Sequence, residues 1–478
     1  MSLIQGREPA VLFRYFEEIS AIPRMSYHEE KIADYLVRFA EEHGLEYYRD
    51  SYHNVLIRKP ATANFESSAP VLLQGHTDMV CEKNRDVEHD FLCDPLALYL
   101  DGDLLRARGT TLGADNGIAV AIMLAVLDGT LDEHPSVECL FTASEEVGMD
   151  GATNFDYSKI SARRMVNLDS ESLGVITAGC AGGVRSELTL PISPIAIEGE
   201  ALRLTIKGLA GGHSGENIHE GRANANKLMG RLLAMAVAEC HAHLVSVCGG
   251  SKDNAIPREC EAVIAVSDPL RARAVLTQKA NEIANELVAL DQAFSFACKT
   301  VTADRMLDKR DTDRVVSILC GVPNGVFEMN RSMKSLVEYS RNLGVVETEP
   351  NCVKMIFASR SAMESRLDAS ISELDALARV LNGKTRHYAR YPGWNFSETS
   401  ALRELYAKAY KRVTGKDVVV NVIHAGLECG FIYASIPGID IISIAPDLQN
   451  LHSPDEAMNL ASVEVFWKTF AELMKSLK

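Results

Sequence analysis

The sequence predicts an α/β protein with a second, α+β domain inserted into the first. Apolar runs of strand length and strand composition occur at residues 71–74, 137–143, 165–168 and 441–445. A long apolar stretch at 116–129 has the length of a helix and lies between the first two runs, so strand and helix alternate. The segment 26–44 shows helical spacing, with Ser26 and Glu29 as a capping box and Gly44 just past its end.

The periodicity changes between about residues 184 and 391, where strand-like segments alternate with long helical ones. An α/β pattern resumes with a helix near 400–413 and the strand near 441. We therefore expect residues 1–183 and 392–478 to form an α/β/α domain around a mixed, largely parallel sheet. Residues 184–391 are then an inserted α+β domain.

Composition excludes several classes of protein. The 478 residues are 47% hydrophobic and 24% charged, which is typical of a globular chain. A net charge of -16 disfavours binding to nucleic acid or to an anionic membrane. No apolar run approaches the ~20 residues of a membrane span, and no secretory signal is evident at the start. Eleven cysteines without paired spacing fit reduced thiols, so we expect a cytoplasmic protein.

Polar side chains follow the predicted strands at the points where ligands bind in open α/β sheets. Each lies just after an apolar run or at the start of the apolar helix: His76 and Asp78, Asp115, Glu145 and Glu146, Asp169, and His452. Alone, the pair Glu145 and Glu146 would fit a solvated loop equally well. Together, the five positions predict one site built from separate parts of the chain.

The residue types at these positions are zinc ligands, and their number favours two metal ions. A single catalytic zinc usually has three protein ligands, whereas His76, Asp115, Glu146, Asp169 and His452 make five. Asp115 can bridge two ions through its two oxygens. Asp78 is placed to accept the second N–H of the His76 imidazole and hold the ring. Glu145 then stays free to act as general base.

Six motifs in order resemble the M20 family of di-zinc metallopeptidases: GHTDMV, GADNGIAVAIML, TASEEVGMDGA, NLDSE, GGHSG and HSPDE. The long insert, with GGSKDNAIPRE, is similar to the aminoacyl-histidine dipeptidase branch of that family. The resemblance implies a catalytic domain, an inserted lid or dimerisation domain, and hydrolysis of unblocked dipeptides. It also implies that His76 and Asp169 hold one zinc, that Glu146 and His452 hold the other, and that Asp115 bridges them. In relatives the bond after the bridging aspartate is often cis, which here is Asp115–Asn116.

The insert carries candidate substrate contacts. His213 lies in a glycine-rich turn, and the resemblance implies that it stabilises the oxyanion. Asn254 and Arg360 resemble lid residues that contact the backbone and C-terminal carboxylate of the substrate, although a surface ion pair is an alternative for Arg360. Beyond the insert, Glu428 is a candidate for binding the substrate amine, and a structural role at a helix start is equally favoured.

The sequence therefore predicts a cytoplasmic enzyme with two zinc ions per subunit, for which cobalt or manganese can substitute. It hydrolyses Xaa-His and other unblocked dipeptides by a metal-activated bridging water, with Glu145 as the base. An M20-type amidohydrolase of N-acyl amino acids is the alternative enzyme, and a noncatalytic peptide-binding protein is a contrasting class. The resemblance favours a homodimer formed through the lid, with His213 acting in its own or in a partner's active site, and the alternative is that the insert of roughly two hundred residues is a doubled lid that acts alone.

Overall fold

A computed structural model describes residues 3–331, 333–334 and 336–478. The helices are α1 Ala10–Ser20, α2 Glu30–Glu42, α3 Ala114–Asp128, α4 Asp150–Asn154, α5 Ala225–Cys240, α6 Pro269–Glu286, α7 Lys309–Gly321, α8 Glu364–Val380, α9 Ala401–Thr414, α10 Cys429–Ser435 and α11 Leu460–Ser476. Among the described residues, none of these helices is long and apolar enough to cross a membrane.

The strands are β1 Glu46–Arg49, β2 Val55–Lys59, β3 Val71–His76, β4 Leu98–Asp101, β5 Leu104–Ala107, β6 Val137–Thr142, β7 Arg164–Asn167, β8 Val175–Cys180, β9 Gly182–Pro191, β10 Ile195–Ala196, β11 Glu200–Lys207, β12 His243–Gly249, β13 Cys260–Val266, β14 Ser295–Val301, β15 Arg305–Met306, β16 Gly325–Met329, β17 Val337–Glu349, β18 Cys352–Ser361, β19 Lys384–Tyr391, β20 Val419–Ile423, β21 Asp440–Ser443, β22 Leu448–Gln449 and β23 Ala457–Asn459.

The chain forms two compact units. The first contains the chain up to Gly179, together with Phe396–Val422 and Glu428–Lys478, and the second contains Cys180–Asn395 and Ile423–Leu427. The predicted boundaries at 183/184 and 391/392 lie within four residues of the two main divisions. The short segment Ile423–Leu427 belongs to the second unit. The Ala181 N–H of that unit donates to the carbonyls of Ile423, at 3.1 Å, and Ala425, at 3.0 Å.

The first unit is built on an eight-stranded mixed sheet of order β1-β2-β6-β3-β7-β21-β8-β20. Its central strands β6, β3, β7 and β21 run parallel to their neighbours in that group, whereas β2 and β8 pair antiparallel at either side. Parallel strands present their carboxyl ends at one edge of the sheet, which is where ligands bind in such folds. The mixed α/β fold predicted from the sequence is confirmed.

Helix α3 passes through the core of the first unit and brings its start to that edge. From Ile118 to Leu127 every side chain is buried, as expected for a helix without a polar face. A side chain at Gly75 would lie 2.5 Å from Ala119 Cβ, so glycine permits α3 to lie directly against β3. This close approach sets the start of α3 beside the end of β3.

The second unit contains a nine-stranded sheet of order β14-β11-β13-β12-β17-β18-β9-β19, with β16 paired to β17. Its strands pair antiparallel with their neighbours. Leu204 on β11 shares one core with Leu232 on α5 and Leu276 on α6. The alternation of strand-like and long helical segments predicted after residue 184 is seen in β9, β11 and α5 at the start of this unit.

The predicted capping box at the start of the 26–44 helix is wrong. Helix α2 begins at Glu30, and its start has no side-chain cap among the described contacts. Ser26 instead donates to Asp78 at 2.7 Å, and Glu29 accepts the backbone N–H of Ser144 at 2.8 Å. Both side chains of the capping pattern therefore support the loops at the carboxyl edge of the sheet.

Candidate metal centre and substrate contacts

Three adjacent parallel strands supply side chains to one edge of the first sheet. His76 is the last residue of β3, and it lies opposite Thr142 at the end of β6. Glu145 and Glu146 follow β6, and Asp169 follows β7 two residues after its end. The start of α3 contributes Asp115, and the loop between β22 and β23 contributes His452. The peptide bond between Asp115 and Asn116 is cis, as the resemblance implied.

The two oxygens of Asp115 face two different sets of side chains. Asp115 Oδ1 lies 3.1 Å from His76 Nε2, which is also 3.6 Å from Asp169 Oδ1. Asp115 Oδ2 lies 3.2 Å from His452 Nε2, which is also 3.1 Å from Glu146 Oε1. The five residues thus form two three-member groups that share Asp115.

The spacing and chemistry of these atoms fit a metal centre. Two ligands at ~2.1 Å from one tetrahedral ion are about 3.4 Å apart, and the four separations here lie between 3.1 and 3.6 Å. Ligand atoms of His76, Asp115 and Glu146 all lie within 4.8 Å of one another. Imidazole nitrogens and carboxylate oxygens are donors that zinc, cobalt and manganese accept.

Asp78 connects the His76 ring to the loop that carries the two glutamates. Its side chain is fully buried, and its Oδ1 lies 3.3 Å from His76 Nδ1. The same carboxylate accepts the backbone N–H groups of Glu145 at 3.0 Å and Glu146 at 3.2 Å. With Ser26 as a further donor, Asp78 fixes both the ring orientation and the turn after β6.

The charges of the cluster are poorly balanced by the protein itself. Burial raises the pKa of Glu146 and of Asp169 above their ordinary values. Hydrogen bonds to Asp115 and Glu146 raise the pKa of His452 to about 11. Burial opposes a charge on His76, but Asp169 and Asp115 outweigh it and raise its pKa. Metal ions bind neutral imidazole, so they would displace these two protons while neutralising the acids.

Among the described contacts, Glu146 Oε1 lies 3.1 Å from His452 Nε2, whereas the Glu145 carboxylate has no histidine partner. The backbone of Glu145 is held by Asp78, and it follows Ser144, a residue with φ of 55° whose N–H and hydroxyl both donate to Glu29. Burial, together with the charges of Asp169 and Glu146, raises the pKa of Glu145 well above its ordinary value. A carboxyl group with a raised pKa is suited to accepting and returning a proton.

The second unit brings His213, Asn254 and Arg360 together. Ser214, next to His213, donates its backbone N–H to the carbonyl of Asn254 at 2.8 Å, and the side chain of Asn254 is exposed. The backbone N–H of Glu216 donates to His213 Nδ1 at 3.3 Å. Burial and the neighbouring guanidinium of Arg360 lower the pKa of His213, so its ring is neutral at pH 7.

Arg360 is buried without a compensating carboxylate. Its guanidinium is 4% exposed, and it donates from Nη1 to the hydroxyl of Tyr391 at 2.8 Å. Its Nη2 lies 3.3 Å from His213 Nε2, a contact in which the guanidinium is the donor. Among the described residues no acid forms an ion pair with Arg360, and the predicted alternative of a surface ion pair is wrong. A buried, unpaired cation of this kind favours an anionic ligand.

Glu428 does not lie where a substrate amine can reach it. Its side chain is fully buried, and its Oε2 accepts hydrogen bonds from Gln74 and from the hydroxyl of Thr142, both at 2.6 Å. Burial raises its pKa to about 7. It lies just before α10 but makes no capping hydrogen bond there. Glu428 is therefore part of the core below the strand ends, and this burial argues against contact with a substrate amine.

Sequence reasoning missed several residues that support these clusters: Ser26, Glu29 and Tyr391. Ser26 and Glu29 form an S-x-x-E pattern before an apolar helix, which is also the pattern of a capping box. Tyr391 is the last residue of the predicted insert. Its contact with Arg360 depends on the pairing of Gly183 with both Arg360 and Tyr391, which no local pattern reveals.

An α/β sheet that gathers two imidazoles and three carboxylates at the ends of its strands is typical of an enzyme, with a candidate metal site at that edge. The chain belongs to the peptidase family M20/M25/M40, whose sequence profile matches residues 72–476. It is therefore a hydrolase that acts on peptide bonds, and the resemblance stated from its motifs is confirmed.

Two relatives align over nearly the whole chain. The cytosol non-specific dipeptidase of Escherichia coli (strain K12) is 41% identical over 482 residues, covering 100% of this chain and 99% of the relative. The crystal structure of aminoacylhistidine dipeptidase from Vibrio alginolyticus is 37% identical with a TM-score of 0.92, covering 98% and 97%. Aminopeptidase PepT from Bacillus cereus ATCC 10987 shares the fold at 14% identity, with a TM-score of 0.57 and coverage of 98% and 99%.

Proposed function

We propose that the chain is a dipeptidase that uses two metal ions to hydrolyse unblocked dipeptides, including Xaa-His. The two-ion proposal rests on one observation: the two carboxylate oxygens of Asp115 face different histidines. Oδ1 faces His76, and Oδ2 faces His452. The substrate class is supported by two relatives named as dipeptidases, at 41% and 37% identity over nearly full length. Zinc is the expected ion, and cobalt or manganese can substitute.

Each ion would be held by one histidine, one acid and an oxygen of Asp115. His76 and Asp169 would hold the first, and His452 and Glu146 would hold the second. When bound, the ions supply Lewis-acid polarisation of the peptide carbonyl and lower the pKa of water. Asp78 keeps the His76 ring oriented, because its carboxylate faces Nδ1 at 3.3 Å while Nε2 faces the cluster.

Glu145 is the proposed general base. It accepts a proton from the attacking water and returns that proton to the leaving amine, so that the C–N bond breaks and a carboxylate and a free amine result. The two roles of adjacent residues follow from their contacts. Glu146 Oε1 lies against His452, whereas the carboxylate of Glu145 has no such partner in the described cluster.

His213, Arg360 and Asn254 are the proposed contacts to the substrate from the second unit. A neutral His213 in the tautomer protonated on Nε2 would be a donor for the oxyanion that forms at the peptide carbonyl. Arg360 would bind the C-terminal carboxylate, since a buried guanidinium without an acid partner gains most from an anion. Asn254 has an exposed amide next to His213 and would contact the substrate backbone.

The substrate class is tested with four compounds on one metal-loaded preparation: Ala-His, Gly-Ala-His, Ala-His amide and N-acetyl Ala-His. We expect kcat/KM to be highest for Ala-His and to fall by roughly 10- to 100-fold when the free carboxylate is lost. A preference for the acetylated compound would favour the alternative, an amidohydrolase of N-acyl amino acids. Binding of all four without turnover would indicate a noncatalytic peptide-binding protein.

The metal requirement is tested separately by chelation. Dialysis against a chelator should abolish turnover, and titration with Zn²⁺ should restore it in proportion to occupancy, with two ions per chain at saturation. Saturation at one ion per chain would contradict the shared role of Asp115. Parallel titrations with Co²⁺ and Mn²⁺ would establish which ions support turnover.

Location and assembly are also proposals. A cytoplasmic location is supported by the name of the Escherichia coli relative, a cytosol dipeptidase. Association as a homodimer through the second unit follows from the family resemblance alone. Sedimentation velocity over a hundredfold range of protein concentration would test it, and a single species of 52.3 kDa throughout would contradict it.

A further inference from the structure

Glu456 makes an unusual set of contacts with the start of α3. Its side chain is 2% exposed, and its two oxygens accept four successive backbone N–H groups. Oε2 accepts from Leu112 at 2.8 Å and Gly113 at 2.9 Å, and Oε1 accepts from Ala114 at 2.8 Å and Asp115 at 3.3 Å. One carboxylate therefore satisfies the donors of the whole turn that carries Asp115.

The same turn is held from its other side by Arg24. This buried guanidinium donates to the carbonyl of Gly113 at 2.6 Å and to the carbonyl of Thr77, next to His76, at 3.1 Å. Gly113 has φ of 65°, and a side chain there would lie 2.5 Å from Arg24 Nη2. The N–H and the carbonyl of Gly113 are thus engaged by opposite charges, and glycine is required between them.

Glu456 also belongs to the segment that supplies His452. Asp115 consequently makes two contacts with this segment: its Oδ2 lies 3.2 Å from His452 Nε2, and its N–H donates to Glu456 Oε1. Neither contact alone fixes the direction of the Asp115 carboxylate. Together they determine where its backbone lies and which oxygen faces the second histidine.

We propose that Glu456 is the positioning residue of the metal centre, and that it holds Asp115 so that its two oxygens face two separate ligand groups. The inference rests on the proposed metal centre. Glu456 would not touch an ion, since its oxygens are occupied by backbone donors. It would act through Asp115, and its loss would weaken the binding of both ions together.

Glu456→Gln is the discriminating variant. It keeps the size of the side chain but replaces one acceptor oxygen by an NH₂ group, which then faces backbone N–H donors. Glu138→Gln is the matched control. Glu138 is 3% exposed in the same unit, and it accepts the backbone N–H groups of Ser161, at 3.1 Å, and Ala162, at 3.0 Å, away from the candidate ligands.

The measurement is the Zn²⁺ affinity of the chelator-treated parent and of both variants, by competition with a chromophoric chelator. The Co²⁺ absorption spectrum of each loaded protein reports the ligand geometry. We expect Glu456→Gln to weaken both sites by roughly 10- to 100-fold and to change the Co²⁺ spectrum. Glu138→Gln should lower the melting temperature of the metal-free protein but leave affinity and spectrum as in the parent.

The outcomes separate the inference from the proposal beneath it. A parent chain that does not bind two ions would overturn the proposed metal centre, and the positioning role with it. A parent that binds two ions while Glu456→Gln binds them equally well would overturn the positioning role alone. If Glu456→Gln does not fold, Glu456→Asp replaces it, and loss of the fold in both variants with Glu138→Gln intact would reduce Glu456 to a structural role.

Discussion

The two candidate clusters differ in the sign of the charge that the protein leaves uncompensated. At the strand ends of the first unit, Asp115, Glu146 and Asp169 share two imidazoles, and burial raises the pKa of the last two acids. In the second unit, Arg360 is buried beside His213 and the hydroxyl of Tyr391, and among the described residues no acid forms an ion pair with it. The first arrangement favours cations and the second favours an anion, as the proposed metal ions and the proposed substrate carboxylate would provide.

The largest expected effect concerns the first cluster, in which adjacent glutamates are assigned different roles. Glu145→Gln should reduce kcat by roughly 10²- to 10⁴-fold while bound metal stays at the parent level, because only the base is lost. Glu146→Gln should lower metal content as well. Both are measured by steady-state kinetics and by elemental analysis of the same samples. Loss of metal in Glu145→Gln but not in Glu146→Gln would invert the assignment.

The next effect concerns the anion requirement of the second cluster. Arg360→Met should lower kcat/KM for a free dipeptide by roughly 10- to 100-fold, and it should change the value for the dipeptide amide far less. Arg386→Met is the control, since Arg386 is 66% exposed in the same unit and pairs with Glu187 at the surface. Equal decreases in kcat/KM for the free dipeptide and for the dipeptide amide would contradict the proposed contrast in charge between the two clusters.

A smaller effect is expected from Glu428, whose pKa of about 7 lies above the ordinary 4.5. The folded chain then binds more protons than the unfolded chain between these values, so this carboxyl group lowers stability as pH rises through that window. Glu428→Gln keeps an acceptor for Gln74 and Thr142 and removes the titration. In urea unfolding of the metal-free protein, the free energy of unfolding of the variant relative to the parent should therefore be greater at pH 8 than at pH 5, by up to roughly 3 kcal/mol. A constant difference would contradict the raised pKa.

The smallest effect is expected from Ser26, which donates to Asp78 at 2.7 Å. Ser26→Ala removes a single hydrogen bond from a carboxylate that keeps its two backbone donors. We expect kcat/KM to fall by about fivefold or less, corresponding to about 1 kcal/mol. A loss as large as that of Glu145→Gln would show that the turn after β6 depends on Ser26 more than on Asp78.

Sequence patterns predict the residues of the first cluster more completely than those of the second. His76, Glu146 and Asp169 each follow an apolar strand, so a local pattern places them at one edge once the strands are parallel. Arg360 meets Tyr391 and His213 only through antiparallel register and a loop contact, and neither has a local signature. The family resemblance alone predicts roles for His213 and Arg360, and neither resemblance nor periodicity predicts one for Tyr391.

Buried charged residues with a structural role are the hardest to predict from the sequence. The sequence predicts that Glu428 binds a substrate amine or starts a helix, but its side chain accepts hydrogen bonds from Gln74 and Thr142, which are polar residues inside the apolar runs 71–74 and 137–143. Ser26 and Glu29 form an S-x-x-E pattern, which is more commonly interpreted as a capping box. Burial depends on which elements pack over a residue, and this information lies far away in the chain.

The position of β21 has a consequence for how the protein is made. This strand, Asp440–Ser443, lies between β7 and β8 in the sheet, although β7 and β8 are close neighbours in the chain. A nascent chain that has left the ribosome only as far as Gly179 lacks a central strand and exposes the apolar edges on both sides of the gap. Sheet completion must wait for more than half of the chain to be translated, so the first unit to begin synthesis is the last to be finished.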